Sequence, residues 1–180
     1  MRYKVTMATS SRPESSRLEP TRPEARAFGS HDHRTCRGEA LAAVEAACAE
    51  RRLRLTPARA CVLEALLESH RAMTAYELLD RLGAAGLGSA PPVVYRALDF
   101  LVANGFAHRI ERLGAFAACA HAGHRHGAGF LVCRVCRRVA ETALPPPRGL
   151  SAEAAAAGFA IERVVVEAEG LCAHCRDAAA

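Results

Sequence analysis

The chain of 180 residues contains no tryptophan, and aromatic residues make up only 5% of it. It has no run of roughly 18 or more uncharged apolar residues, so the sequence predicts no membrane span. The N-terminal segment MRYKVTMATSSRPESS begins with basic residues but lacks the apolar stretch of a secretory signal. We therefore expect a cytoplasmic protein that has no membrane partner.

Positive charge is concentrated at one end of the chain. The net charge is +5, and residues 1–38 hold 8 of the 24 Lys and Arg residues but only 4 of the 19 Asp and Glu residues. The rest of the chain is nearly neutral, so bulk charge gives no argument for nucleic-acid binding, which must rest on particular arginines. Residues 1–38 mix Arg, Pro, Ser and Glu without apolar periodicity, which predicts a disordered tail.

Residues 39–113 have the pattern of a winged helix-turn-helix domain. Helical spacing recurs in four segments, which are GEALAAVEAACAERR, PARACVLEALLES, TAYELLDRL and PPVVYRALDFLVAN. Thr74 and Glu77 form a capping-box pattern at the start of the third helix. FAHRIER and AFAACA then flank Leu113–Gly114 and predict a two-stranded hairpin. Helices followed by such a hairpin predict a domain that places its last helix in the DNA major groove.

Residues 114–180 predict a small α/β domain, so the whole chain is assigned to the α+β class. GFLVCRVC predicts a strand that leads into a cysteine knuckle, and VAETAL predicts a second strand. LSAEAAAAG predicts a short helix, and FAIERVVVEAEGLC (159–172) predicts a strand that ends in another cysteine pair.

Two Cys-x2-Cys pairs stand in this second domain, with 35 residues between them. Two such knuckles can deliver four thiolates to one tetrahedral Zn²⁺, and a fully thiolate site leaves no open position for catalysis. Buried apolar cysteines or a redox motif are the alternatives, but two matched pairs and the lack of a βαβ unit argue against both. The predicted structural ligands are Cys133, Cys136, Cys172 and Cys175.

Other candidate ligands gather where the two domains meet, namely His108, Cys119, His121, His124, His126 and Glu141. A single surface histidine or strand cysteine would mean little, but together these residues straddle the boundary between the domains. A metal bound across that boundary would favour one relative orientation of the domains.

Several blocks together resemble the ferric uptake regulator family, and within it the zinc-sensing branch. The blocks run from about residue 40 to 177 and are RLTPARACVLEAL, TAYELLDRL, PPVVYRALDFLVANGFAHRIE, FLVCRVCRRVAE and EAEGLCAHC. The resemblance implies a homodimer in which residues 114–180 form the dimerisation domain. It also implies two Zn²⁺ ions per protomer, a structural ion on the four cysteines and a regulatory ion on His108, Cys119, His126 and Glu141.

The chemistry of the second ligand set agrees with this resemblance. Two imidazoles, one thiolate and one carboxylate suit tetrahedral Zn²⁺, whereas iron or manganese sites use more oxygen ligands. His121 and His124 remain either solvated loop residues or auxiliary ligands. The sequence departs from the family at Val93, where a hydroxyl residue is common, and this puts one phosphate contact or helix-entry hydrogen bond in doubt. It also lacks the His-rich motif of the iron-sensing branch before the first knuckle.

The candidate DNA contacts lie mainly on the fourth helix. Periodicity assigns Val94, Leu98 and Leu101 to the core, which leaves Tyr95 and Arg96 on the exposed side. Arginine makes bidentate contacts with guanine edges, so Arg96 is the best candidate for base recognition. Further candidates for backbone contacts are Arg59, Tyr76, Arg109 and Arg112.

The sequence therefore predicts a zinc-responsive repressor of zinc uptake and homeostasis genes that binds an inverted repeat in double-stranded DNA. A regulator on the same scaffold that senses another metal or peroxide is one alternative, and a zinc-stabilised interaction module without a DNA role is another. A zinc-dependent hydrolase or deaminase would need an open metal position, and the sequence lacks the HExxH and H-x-E…PCxxC patterns. We expect no enzymatic activity and no small-molecule substrate.

Overall fold

The computed structural model describes residues 27–29, 31–122, 129–142 and 149–178. The chain contains both helices and strands. In chain order the elements are α1 (His33–Glu50), α2 (Pro57–Leu67), β1 (Met73–Thr74), α3 (Ala75–Ala84), α4 (Pro91–Ala103), β2 (Ala107–Ile110), β3 (Ala115–Ala118), β4 (Gly129–Cys133), β5 (Val139–Thr142), α5 (Leu150–Ala156), β6 (Val166–Gly170) and α6 (Ala173–Asp177). No helix in these described ranges is both long and apolar enough to span a bilayer.

The first four helices and the sheet β1–β3–β2 form the predicted winged helix-turn-helix. Its core is built mainly from leucines and valines of α2, α3 and α4, and α1 contributes Val44, Ala47 and Cys48. The capping box at α3 is present, because the Thr74 hydroxyl accepts from the Glu77 N–H and the Glu77 carboxylate accepts from the Thr74 N–H. Both bonds satisfy donors that the first helical turn leaves free. This local chemistry fixes where α3 begins.

Helix α1 begins at His33, within the segment 1–38 that the sequence predicted to be a disordered tail. The cause is a cap that the apolar pattern does not reveal. The Asp32 carboxylate accepts hydrogen bonds from the Arg34 N–H at 3.0 Å and from the Thr35 hydroxyl at 2.8 Å. The predicted tail is therefore wrong for residues 33–38, which are helical.

The hairpin crosses the predicted boundary between residues 113 and 114. Strand β3 pairs antiparallel with β2 from Ala107↔Ala118 to Ile110↔Ala115, and its other edge pairs with β1. Gly114 makes the turn with a φ of 53°, which glycine adopts without the steric cost of a side chain. Residues 115–118 therefore belong to the sheet of the winged domain.

The C-terminal domain has the strand order β5–β4–β6. Strand β4 is antiparallel to β5 and parallel to β6, with Cys133 opposite Gly170. The predicted strand over 159–172 is reduced to Val166–Gly170, because β4 has only five residues with which β6 can pair. The register puts the ends of β4 and β6 side by side, and each leads directly into a cysteine pair.

The two domains meet along a continuous seam. Backbone hydrogen bonds run from the Ala72 N–H to the Arg137 carbonyl at 3.0 Å and from the Val139 N–H to the His70 carbonyl at 2.8 Å. A shared apolar cluster combines buried side chains from both sheets, and its members are Ala72, Ile110, Ala115, Ala117, Phe130, Val132 and Val139. On the wing, the Glu167 carboxylate accepts from the N–H groups of Glu111 and Arg112 at 2.7 and 2.9 Å.

Candidate metal centres and the exposed helix

The four paired cysteines lie together at one end of the C-terminal sheet. Cys133 is the last residue of β4, and Cys172 caps the helix that contains Cys175. The first knuckle turns at Arg137, which has a φ of 59° and donates its N–H to the Cys133 carbonyl at 2.9 Å. All four Sγ atoms lie within 4.8 Å of one another.

The spacing of these sulfur atoms fits a tetrahedral zinc site. A Zn–S bond of about 2.3 Å with tetrahedral angles places two sulfur atoms about 3.8 Å apart. The Sγ atoms of Cys136 and Cys172 are 3.8 Å apart, which is far beyond the length of a disulfide bond. The four-Cys group therefore fits a structural zinc site.

The pKa values of the cysteines differ within this cluster. Burial would raise the pKa of Cys133, but the backbone N–H groups of Cys172, Cys136 and Val135 hold it at about 6. Burial and the neighbouring sulfur atoms raise the pKa of Cys175 to about 12. One thiolate is stabilised while a further one is opposed by its neighbours, and a bound divalent cation would favour the deprotonated form of all four.

A second group of ligand atoms lies on the seam between the domains. His108 comes from β2, Cys119 follows β3, and Glu141 comes from β5 of the other sheet. Their ligand atoms lie within 4.8 Å of one another. We refer to His108, Cys119 and Glu141 as the junction cluster.

Hydrogen bonds orient the side chains of the junction cluster. The Glu141 carboxylate lies 3.2 Å from the His108 Nε2 through one oxygen and accepts from the Ala120 N–H at 2.9 Å through the other. The Cys119 sulfur accepts from the His121 N–H at 3.3 Å. Glu141 is the buried charged residue of the described core, with 7% of its surface exposed. The three convergent ligand atoms, one of them from this buried carboxylate, fit a metal site.

Burial and the charge of Glu141 raise the pKa of Cys119 to about 12. The thiol is therefore protonated at neutral pH, and metal binding must release its proton. His124 and His126 lie outside the described residues. The structure describes His121, which is half-buried next to the junction cluster, but its side chain is not among the three convergent ligands.

Helix α4 presents the face that the periodicity predicted. Val94, Leu98 and Leu101 are buried, whereas 48% of Tyr95 is exposed and Arg96 is exposed beside it. The Arg96 Nε donates back to the Pro92 carbonyl at 3.1 Å, which leaves the outer edge of the guanidinium directed away from the core. This helix therefore offers an aromatic and a cationic side chain on one exposed face.

The other arginines predicted to contact DNA already have partners within the chain. Arg59 donates to the Arg54 carbonyl at 2.6 Å, and its guanidinium carbon lies 3.7 Å from the centre of the Phe100 ring. On the wing, Arg109 pairs with Glu111 at 3.1 Å, and Arg112 pairs with Glu169 of β6 at 3.0 Å. Tyr76 is 75% exposed at the start of α3.

A third convergent group was missed by the sequence analysis. It consists of His31, His33, Cys36 and His70, whose ligand atoms also lie within 4.8 Å of one another. The spacing H-x-H-x2-C was a signal, but it lay in the segment predicted to be a tail. The distant His70 could be added only once the fold was known.

These features define a winged-helix protein with a four-Cys cluster that fits a zinc site and with two further groups of candidate metal ligands. The family model for the ferric uptake regulator family matches residues 50–169. The chain belongs to the ferric uptake regulator family, as its sequence blocks indicated.

The chain is similar to zinc uptake regulation proteins. It is 39% identical over 145 residues to those of Escherichia coli (strain K12) and Shigella flexneri, which covers 79% of this chain and 84% of each relative. It also matches the structure of a zinc uptake regulator complexed with zinc and DNA, with 35% identity and a TM-score of 0.70, over 83% of this chain and 99% of that one. Holo XcZur matches with 45% identity and a TM-score of 0.68, over 80% and 99% of the two chains.

Proposed function

We propose that the chain is a zinc-responsive, DNA-binding transcriptional repressor that controls zinc uptake and homeostasis genes in the cytoplasm. It acts as a homodimer and uses two Zn²⁺ ions per protomer for this function, one structural and one regulatory. Support comes from the zinc uptake regulation proteins to which it is similar and from the related regulator complexed with zinc and DNA.

The observation that carries the proposal is the position of the junction cluster. His108 and Cys119 belong to the winged domain, whereas Glu141 belongs to the sheet that carries the four-Cys site. A Zn²⁺ ion held by ligands from both domains favours the arrangement in which those ligands converge. The orientation of α4 relative to the C-terminal domain therefore depends on whether this cluster is engaged.

The types of ligand favour zinc as the regulatory metal. The junction cluster offers one imidazole, one thiolate and one carboxylate. We propose His126, which lies outside the described residues, as the fourth ligand. Nitrogen and sulfur donors suit Zn²⁺, whereas Mn²⁺ sites are dominated by oxygen donors. The thiolate of Cys119 is thus the ligand that most favours zinc over the alternatives within the family.

DNA recognition is assigned to the exposed face of α4. We propose that Arg96 reads a guanine edge while Tyr95 packs against a thymine methyl group or reaches a phosphate. Arg59 and Tyr76 are proposed phosphate contacts, in which Arg59 would use the guanidinium edge that is not bonded to Arg54. In a homodimer, two copies of α4 would read the two halves of an inverted repeat.

The test is DNA binding to a panel of inverted repeats with buffered zinc and with a chelator, with metal content measured on the same samples. Free zinc at a concentration that fills the regulatory site should increase the affinity for the specific DNA sequence. The structural ion should stay bound throughout. Equal affinity with and without regulatory zinc would refute the sensing role. A larger response to Mn²⁺ than to Zn²⁺ would instead support a regulator of the same family that senses another metal.

A further inference from the structure

We propose that His31, His33, Cys36 and His70 form a third zinc-binding site, separate from the four-Cys cluster and the junction cluster. We call it the N-terminal site. Three imidazoles and one thiolate make a four-ligand set suited to tetrahedral Zn²⁺. The existence of this site does not depend on the proposed function, because its ligands belong to neither of the other clusters.

The local sequence explains how three of the ligands converge. Asp32 caps α1, so His33 is the first helical residue and His31 immediately precedes the cap. Cys36 follows His33 by three residues, and side chains three apart on a helix lie on the same face. His70 lies beyond the end of α2, and the packing of α1 against α2 brings it to the same place.

The orientation of His33 is the strongest evidence for a ligand. Its Nε2 lies 2.7 Å from the Glu68 carbonyl oxygen, an acceptor that requires this nitrogen to carry the proton. Its Nδ1 then carries a lone pair, and this atom is buried with no hydrogen-bond partner among the described residues. Metal-bound histidines are typically oriented in this way, with the second nitrogen donating to a backbone carbonyl.

The other members of the group surround this nitrogen. The Nε2 atoms of His70 and His31 are 3.0 Å apart, and the Cys36 sulfur is 3.9 Å from the His70 Nε2. The Nδ1 of His31 lies 3.4 Å from the Gly29 carbonyl, so its Nε2 faces the group. The imidazole centres are 5.0 to 5.6 Å apart. A proton shared between the Nε2 atoms of His70 and His31 would form a hydrogen bond between these two rings. The lone pair on the His33 Nδ1 would still have no partner in the described part of the chain, and a bound cation would provide one.

The position of the N-terminal site gives it a consequence for the domain seam. The His70 carbonyl accepts from the Val139 N–H of β5, next to the first cysteine knuckle. A cavity of about 280 Å³ is lined by Cys36 and His70 on one side and by Cys119, His121 and Glu141 on another. A metal at the N-terminal site would therefore hold α1 against the segment around His70, whose backbone bonds to β5 at the seam. This segment lies close to the junction cluster.

Zinc stoichiometry tests the proposal directly. Wild type, His33→Ala and Cys36→Ser are equilibrated with buffered zinc, and bound metal is measured per chain. Each variant should bind one zinc ion fewer than wild type and should keep the ions of the other two sites. Cys61→Ser is the matched control, because Cys61 is also half-buried in the winged domain but belongs to no ligand group. It should bind as much zinc as wild type.

Alkylation of the wild-type chain provides a test that needs no substitution. When the junction cluster and the N-terminal site are empty and the four-Cys cluster keeps its zinc, iodoacetamide should label both Cys36 and Cys61. Saturation with Zn²⁺ should then slow the labelling of Cys36 by about tenfold or more, since a metal-bound thiolate is a poor nucleophile, and should leave Cys61 unchanged. Equal zinc content in Cys36→Ser and wild type, or unprotected Cys36 at saturating zinc, would overturn the proposal.

The N-terminal site can fail without affecting the proposed function. Loss of zinc-dependent DNA binding in Cys119→Ser tests the junction cluster, whereas zinc content in Cys36→Ser tests the N-terminal site. In the double variant the two losses of bound zinc should add. Loss of a single ion in the double variant would mean that Cys36 and Cys119 serve one shared site, and this outcome would also overturn the proposal.

Discussion

The four-Cys cluster and the junction cluster differ in which parts of the fold they connect. The four cysteines lie at or just after the ends of two strands of one sheet, and the parallel pairing of β4 and β6 already brings their turns together. The junction cluster joins β2 and the end of β3 to β5 of the other sheet. A metal in the first site therefore stabilises one domain, whereas a metal in the second fixes the relation between two domains.

The energetic consequences of the two sites should differ accordingly. Zinc binding to a site that does not exist in the unfolded chain adds directly to the free energy of folding. Zinc binding across a seam that also has backbone and apolar contacts shifts the balance between arrangements of domains that are already folded. Substitutions in the first site should therefore affect folding, and those in the second should affect the response to zinc.

The largest expected effect follows from Cys133→Ser. Structural zinc in small modules is worth on the order of 10 kcal/mol or more, so the C-terminal domain should unfold or lose its dimer contacts. Denaturant unfolding, oligomeric state and zinc content should all change together. Cys48→Ser is the control, since Cys48 is a buried cysteine of α1 outside every ligand group. A folded Cys133→Ser dimer with wild-type zinc content would contradict the four-Cys assignment.

The junction cluster should show the opposite behaviour. His108→Ala and Cys119→Ser should remain folded and keep the four-Cys zinc, but added zinc should no longer raise DNA affinity. The gain that is lost should be about 5- to 150-fold, the usual range of coupling between two sites. Titration with buffered zinc, with DNA binding and bound metal read together, makes the measurement. If both variants kept the response, regulation would have to be assigned to other ligands, such as His121 or His124.

Arg96→Ala separates recognition of DNA from the metal response. Specific binding should weaken by roughly 1–3 kcal/mol and base preference should relax at one position per half-site. Zinc content should be unchanged, because Arg96 lies on α4, away from all three ligand groups. Arg163→Ala removes an exposed arginine beyond α5 and serves as the control for lost charge. An equal loss on every DNA sequence would make Arg96 a phosphate contact.

The sequence predicted most of the fold because its local signals agree with one another. The capping box of Thr74 and Glu77, the buried stripe of α4 and the two Cys-x2-Cys pairs each depend on neighbouring residues. The resemblance to the family then supplied the pairing of distant ligands, which spacing alone does not provide. His108 and Glu141 are 33 positions apart in sequence, yet the two sheets bring them within 3.2 Å.

The errors of prediction arise where a single polar side chain or a tertiary contact decides the outcome. Helix α1 starts at His33 because of a single polar cap at Asp32, in a segment whose composition resembles a tail. Residues 159–165 have strand-like composition. The pairing of β6 with β4 begins only at Val166, opposite Gly129, which is the first residue of β4, so residues 159–165 have no partner among the described strands. The N-terminal site was missed for both reasons, since it depends on the start of α1 and on the distant His70.

The smallest expected effect concerns a carboxylate that links the winged domain to the first knuckle without a metal. Glu77 closes the capping box and lies 2.6 Å from the Arg71 guanidinium and 3.7 Å from that of Arg137, which follows the knuckle. The hydrogen bond from the Thr74 N–H, with help from its hydroxyl and the two arginines, lowers the pKa of Glu77 below its ordinary value. Its ionised form is therefore favoured in the folded protein.

Glu77→Gln keeps an acceptor for the Thr74 N–H but removes the negative charge, so it should destabilise the protein by about 0.5 kcal/mol at pH 7, the usual contribution of a charge beside a helix N-terminus and of partly exposed ion pairs. A lowered carboxyl pKa gives stability that is fully present above the unfolded pKa and disappears as the pH falls through the folded pKa. The difference in the free energy of unfolding between wild type and variant should therefore shrink below about pH 4.5. Denaturant titrations of both proteins at matched pH provide the difference, and Glu45→Gln, an exposed carboxylate of α1, is the control. A difference that stayed constant down to pH 3 would mean that the charge of Glu77 contributes nothing and that only its packing matters.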